Sequence, residues 1–443
     1  MSDELIRFAY TDKKISAWGG MRIMKELLVR SGVLDCLKEL DLPKPGSNAG
    51  YDPIAVLESF MVCVWLGGVR FAHTAFVRFD EVLKEIFGWK RVVPQGGIST
   101  FTRFFRRFTQ KRNTAVFPAL FGWFFTQIKL RRYTIDLDSS VLTRYGEQQG
   151  AEVGYNPTKP GRASHHPLIA FVSEVRMVAN AWLRSGDSAT TNNVFGFLRE
   201  TIDRVLPEKE IGLLRADSGF FGGKLFEFLE ERKINYIIAC RMYPPLKRRI
   251  RALKDWVVVD RGIEIAEFDY ETSRWFGASR RMVVVRQSVA ARPTAGGKTL
   301  FDDDQALADY RYQCYVTNLD LPVVSVWQLY RGRSDAENRI KELKYDFGMK
   351  GFSLNDFWAT EAAFRMVCFS YNLMALFRQV ILKADSVPML STLRLKCFAI
   401  GSYLRTKGRE KILMLSVKME RRAWMDGLFS ELATFTQPFP LRI

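Results

Sequence analysis

A mixed α/β fold, preceded by a helical region and interrupted by a β-rich insertion, is predicted by three features of the 443-residue sequence. Helix-spaced apolar residues fill the first part, strand-like runs alternate with amphipathic helices from about residue 130, and that rhythm gives way to short strands between about 243 and 312. With 47% hydrophobic residues the chain can bury a substantial core and divide into several domains. Its net charge of +18 calls for a polyanionic partner, nucleic acid or an acidic membrane surface. No stretch reaches the roughly 18 uninterrupted apolar residues of a membrane span, and MSDELIRFAYTDKK lacks the apolar core of a signal peptide, which predicts a soluble cytoplasmic protein. The six cysteines are scattered without a CxxC pair, and His165 and His166 are adjacent rather than helix-spaced, so neither a disulfide framework nor a zinc site is expected.

Residues 1–128 read as an all-α domain. Ile23, Leu27 and Leu28 share one helical face, Asp52-Pro53 is a helix start, and Phe60 to Leu66 is a buried helical run. From Ile86 to Ile135 there is no acidic residue but many Lys and Arg. Within it STFTRFFRRF predicts a helix from Ser99 with Arg103, Arg106 and Arg107 near one side and Phe101, Phe104, Phe105 and Phe108 packing elsewhere. A packing helix with a solvated basic face fits the same pattern. The lack of any compensating acid favours a helix that lies along DNA.

Residues 129–242 carry TIDLDSSVL, HPLIAFVSEVRMV and NAWLRSG as three strands, the helix NNVFGFLRETIDRVL, the strand IGLLRADSG, the helix GKLFEFLEERK and the strand INYIIAC. Three strands, helix, strand, helix, strand is the order of a ribonuclease H-like core, a mixed five-stranded sheet with helices. Residues 243–312 form the β-rich insertion, with strands at WVVVD, IEIAEFDY and RRMVVVRQ. In 313–385 CYVTNL supplies a last strand, Pro322 and Ser325 open a helix bearing Glu337, and 357 to 384 forms a long helix; 386–443 is expected to be a helical C-terminal region.

The segment YRGRSDAENRIKELK places Tyr330, Arg333, Glu337 and Lys344 at offsets of zero, three, seven and fourteen. On one α-helix these fall within a stripe roughly 60° wide. An acid, two bases and a phenol on one face suit a phosphodiester site, with Glu337 on a divalent metal and the bases on phosphates. Alone, the segment also fits a solvated, salt-bridged helix with a capping box at Ser334 and Glu337. Two more acids end apolar strands, Asp138 in IDLDSS and Asp217 in LLRADSGF, positions that put carboxylates at a sheet rim. Asp136 shares the strand face of Asp138 and is the alternative first ligand; the Ser139-Ser140 pair marks the strand exit and favours Asp138. Two magnesium ions need several hard oxygen donors converging from separate elements, and Asp138, Asp217 and Glu337 supply that minimum.

The spacing of Tyr330, Arg333, Glu337 and Lys344 resembles the YREK signature of DDE transposases from bacterial insertion sequences, and Asp138 and Asp217 resemble the two earlier acids of that triad. YGEQQGAEVGYNPTKPGRASHHPL and DAENRIKELK are similar to the branch known as insertion-sequence family thirteen-eighty. The resemblance implies an RNase H-like catalytic domain with a β insertion and an N-terminal DNA-binding domain. It also implies a dimer on terminal inverted repeats, cutting and rejoining double-stranded DNA with two Mg2+ ions, or Mn2+ in their place, in a bacterial, nucleoid-associated setting. The roles it carries over are metal ligation by Asp138, Asp217 and Glu337, and contact with the transposon end by Tyr330, Arg333 and Lys344. Trp275 of the insertion is the candidate to stack on a flipped base, with a core tryptophan as the alternative. Lys159 and Arg162 of the TKPGR loop are candidate DNA contacts near Asp138, or ordinary surface charge. Two other functions share these features: a transposase-derived DNA-binding protein that does not cut, and an RNase H-like nuclease that cuts without joining.

Overall fold

In the computed structural model, which describes residues 8–47, 50–90, 99–189, 191–275, 277–383 and 387–441, a nine-stranded mixed sheet forms the centre. Its strands are β1 (Arg132–Ser139), β2 (Leu168–Val172), β3 (Met177–Trp182), β4 (Glu210–Ala216), β5 (Asn235–Ala239), β6 (Val257–Asp260), β7 (Ile263–Glu271), β8 (Ser279–Ser288) and β9 (Tyr310–Thr317). They lie in the order β6-β7-β8-β9-β5-β4-β1-β2-β3. The pairs β1–β4 and β4–β5 are parallel and the remainder antiparallel. The five strands expected of the core form one half of this sheet, and the strands of the insertion continue it rather than standing apart. β9 joins them by pairing Val316 with Ile238 on β5, so β5 presents no edge of unpaired N–H and C=O groups there.

The expected strand HPLIAFVSEVRMV is divided. β2 ends at Val172, and the chain turns through Ser173 to Arg176, where Arg176 takes φ 53°. Glu174 fixes the turn by accepting the Thr134 amide on both carboxylate oxygens, at 2.9 and 3.0 Å. A helix at Val194–Arg199 leads from β3 to β4, and another at Gly223–Glu231 connects the adjacent parallel strands β4 and β5.

The helix Pro53–Trp65 starts as its sequence dictates, with the Asp52 carboxylate accepting the Ile54 amide at 3.1 Å and Pro53 in the first turn. In Ser99–Phe105 and the residues after it Phe101, Phe104, Phe105 and Phe108 are buried, while Arg103, Arg106 and Arg107 are exposed. These N-terminal helices share one continuous apolar core with the rest of the chain. Phe60 meets Phe352 edge-on at 4.8 Å, and the Trp65 indole donates to the Ser370 carbonyl at 3.0 Å. Residues 386–443 are not simply helical: Ser402–Lys407 and Glu410–Leu415 form a β-hairpin, followed by the helix Met419–Thr434. The hairpin turns at Gly408 (φ 62°), and its first strand pairs with Ile15–Ser16. Among the described residues no helix is long and apolar enough to cross a membrane.

Candidate nucleic-acid site

Asp138 and Asp217 come together through strand register. β1 and β4 run parallel with Leu137 opposite Ala216, so the next residue on each strand, Asp138 and Asp217, emerges at the same rim of the sheet. The Asp217 carboxylate accepts the Gly219 amide at 2.9 Å and starts a short helical turn, Ser218–Phe220. Asp136 is engaged elsewhere. It is fully buried and paired with Arg215, its neighbour across the sheet, through Nε at 2.6 Å and an Nη at 2.8 Å. Arg215 also donates to Ser173 Oγ and to the Leu329 carbonyl, which ties the helix Val323–Arg331 to the sheet.

Tyr330, Arg333, Glu337 and Lys344 are distributed over two helices, not the single one the spacing predicts. Val323–Arg331 ends before Gly332, and Ser334–Tyr345 begins after Arg333. Gly332 and Arg333 keep right-handed helical angles but close the turn with i to i+3 bonds, Arg333 N–H to the Tyr330 carbonyl and Ala336 N–H to the Arg333 carbonyl, both at 2.9 Å. The path therefore stays nearly helical across the break. Arg333 takes the N-cap position, and no side-chain capping bond forms there.

The Arg333 guanidinium joins two of the acids, donating to Asp138 at 2.9 Å and to Glu337 at 3.3 Å. Burial pushes the Asp138 carboxyl up to about 6; Arg333 opposes this, and the nearby Asp217 and Glu337 carboxylates add to it. Burial works against the charge on Arg333 but is outweighed by Asp138, Tyr330, Asp217 and Glu337, which raise its pKa and keep it protonated. Tyr330, half-buried with its ring 4.2 Å from that of Tyr315, is raised to about 12 by burial, with Asp217, Glu337 and Asp138 contributing. Burial and Lys350 lower the Lys344 ammonium, and Asp138 acts in the opposite sense. The three acids thus share one electrostatic neighbourhood. Their carboxylate oxygens are the hard donors a divalent cation takes, so the donor chemistry fits a magnesium ion. As placed, with Arg333 between two of them, they are not gathered: among the described residues no three His, Cys, Asp or Glu side chains stand as a group that could hold a metal.

Beside the acids opens a cleft of about 1380 Å³, whose walls include Asp217, Lys344 and Lys159. Arg162 lies next to it, 6.0 Å from the Tyr145 ring. Arg103 lies on the helix Ser99–Phe105, which ends before Arg106 and Arg107, and none of the three lines this cleft; Arg107 donates to the Lys44 carbonyl at 2.5 Å. Trp275 has no exposed face for a base. It is 1% exposed and enclosed by Phe221, Phe226 and Tyr270 at 5.6 to 5.8 Å, so the core alternative holds. Its neighbour Phe276 lies outside the described residues.

Four basic cleft residues escaped the sequence reading: Arg70, Arg144, Arg241 and Lys350. Arg241 braces the loop after Asp217, donating to the Ser218 carbonyl at 2.8 Å and the Gly219 carbonyl at 3.1 Å. A signal for it existed, since Arg241 closely follows β5, the third parallel strand, and so stands at the same rim.

At this site adjacent parallel strands deliver two acids to one rim of the sheet, and an arginine ties a third acid to the first. The chain belongs to the family described as transposase DDE domain group 1, which it matches over residues 1–437. No curated protein matches it. Among solved structures it is similar to the cryo-EM structure of the piggyBac transposase synaptic complex with hairpin DNA, at 12% identity and a TM-score of 0.42, over 86% of this chain and 78% of that one.

Proposed function

We propose that this protein is a DNA transposase that binds the terminal inverted repeats of an insertion sequence, cuts the element free and joins it to target DNA. In this reading the five strands β3-β2-β1-β4-β5 are an RNase H-like core, the YREK resemblance extends to function, and two copies of the chain act on the paired ends. The observation that carries the proposal is the delivery of Asp138 and Asp217 to one rim by strand register, with Arg333 bridging Asp138 to Glu337. Membership of a DDE transposase family and the excess positive charge support it.

Cleavage is a hydrolysis, in which a water oxygen attacks phosphorus and a 3′ oxygen leaves as the hydroxyl; joining is an exchange, in which that freed 3′ hydroxyl attacks a target phosphorus and the target strand's own 3′ oxygen leaves. Asp138, Asp217 and Glu337 would hold magnesium, for which manganese can substitute, and the metal supplies charge stabilisation at the phosphate. The remaining work belongs to the chain. Lys344 and Lys159 neutralise phosphates in the cleft, Arg241 fixes the loop that aims Asp217, and Tyr330 contacts the element end. Arg333 holds Asp138 and Glu337 together and is a second source of positive charge for a phosphate entering beside them. Arg103, Arg106 and Arg107 offer a separate basic face for the DNA flanking the cleft.

The test is nicking and joining of labelled inverted-repeat DNA with Mg2+. Asp138→Ala, Asp217→Ala and Glu337→Ala should each reduce cleavage by about a thousandfold or more while end binding survives. Cleavage retained in any of them removes that residue from the site. Asp136→Ala should instead act on stability, leaving Arg215 buried without its partner at a cost of about 3–5 kcal/mol. An unaltered protein that shifts this DNA and never cuts it would be a binder, and one that cuts without joining a nuclease.

A further inference from the structure

Three tyrosines on the cleft wall, Tyr145, Tyr155 and Tyr345, are 70%, 77% and 68% exposed. Large aromatic rings clustered in the open are unusual on a surface that meets only water. Two of them have a lysine alongside. Lys159 Nζ lies 5.0 Å from the Tyr145 centroid and also bonds its hydroxyl, and Lys350 Nζ lies 4.3 Å from the Tyr345 centroid.

We propose that this wall is a binding site for unpaired nucleotides, with a base stacking on each of Tyr145 and Tyr345 and the adjoining phosphate meeting Lys159 or Lys350. A ring with an ammonium beside it matches the two halves of a nucleotide, a flat base and an anionic phosphate, and this pairing occurs twice on the cleft wall. Duplex DNA does not satisfy it, because each base face is already covered by its neighbours in the stack. An acidic peptide offers the charge but no planar face. The inference rests on the DNA-transposase reading and deepens it: the cleft beside Asp217 takes single-stranded DNA, such as a frayed or opened element end, in addition to duplex.

The experiment measures fluorescence anisotropy of the full-length protein with one labelled oligonucleotide, presented single-stranded and as a blunt duplex. The double variant Tyr145→Ala/Tyr345→Ala should weaken single-strand binding by about tenfold or more and leave duplex binding within about twofold. Tyr145→Phe/Tyr345→Phe, which keeps both rings, should bind the single strand nearly as the unaltered protein does. Both side chains are exposed, so thermal unfolding should be unchanged in either variant. Unchanged single-strand binding in the alanine variant overturns the inference. So does an equal loss for both DNA forms, or a loss in the phenylalanine variant as large as in the alanine one. In these outcomes duplex cleavage by the unaltered protein still upholds the transposase reading. Failure of the unaltered protein to bind either form removes both.

Discussion

His165 lies fully buried between two partners that fix its protonation. Its Nδ1 accepts from Arg144 Nε at 2.9 Å, so Nε2 carries the proton and donates to the Gln149 carbonyl at 3.0 Å. Burial, and then the Arg144 charge, lower its pKa from 6.5 to about 4. The unfolded chain therefore takes up a proton near pH 6.5 that the folded chain refuses until about pH 4. Stability from this group is complete above pH 6.5 and falls by about 3 kcal/mol as pH drops to 4. Urea unfolding at several pH values should show that slope in the unaltered protein and a shallower one in His165→Gln; identical slopes would exclude His165 as its origin. The same side chain holds Arg144 in the cleft wall. At this scale the positions of the candidate acids at strand ends were legible and their partners were not. The exit of β1 at Ser139-Ser140 marks Asp138, but the commitment of Asp136 depends on Arg215 standing opposite it, which only the register of two parallel strands reveals. For Trp275 the sequence offers both a stacking face and a core position, and its enclosure by Phe221, Phe226 and Tyr270 decides for the core.

At the scale of elements, the helix Phe357–Leu376 covers the edge of the sheet and takes the place of a missing strand. Its Asn372 side chain accepts the Val178 amide at 2.7 Å and donates to the Val178 carbonyl at 2.8 Å, pairing the open edge of β3. Asn372→Leu would leave both backbone groups buried and unpaired, so it should destabilise the protein by about 2–5 kcal/mol. A denaturation midpoint that stays in place would show that water or a shifted side chain replaces the amide. Arg365 and Glu361, on the same helix, reach the sheet as well; Arg365 donates to the Ala181 carbonyl and to Glu200. Apolar runs and caps made most helices and strands readable, as at Asp52-Pro53. Two features among those missed have identifiable reasons. The break at Gly332 hides because both residues keep helical angles. The hairpin in SYLRTKGREKILML hides because its strands are rich in charge, although Lys407-Gly408-Arg409 is a usable turn signal.

For the molecule as a whole, the expected boundary at residue 128 meets a core that runs through it. Phe60, Phe71 and Phe105 pack together and on Phe352, and Asn113 donates to Glu361 at 2.8 Å. A fragment of residues 1–128 would expose that aromatic face, so circular dichroism and thermal melting should find no cooperative fold in it, while the full chain melts in one transition. A cooperative melt of the fragment would restore the boundary. Local pattern does not reveal this packing, because helices from both ends of the sequence bury their apolar sides in each other.

The pairing of Ile15–Ser16 with Ser402–Tyr403 spans 386 residues, and Ser402 Oγ bonds the Ser16 carbonyl at 3.3 Å. On a ribosome adding about 5–20 residues per second, the early strand waits on the order of 20–80 s for its partner to be made. Until then Lys13 and Tyr403, which later meet ring to cation, belong to different moments of synthesis, and the nascent chain carries an unfinished sheet edge that a chaperone has time to find.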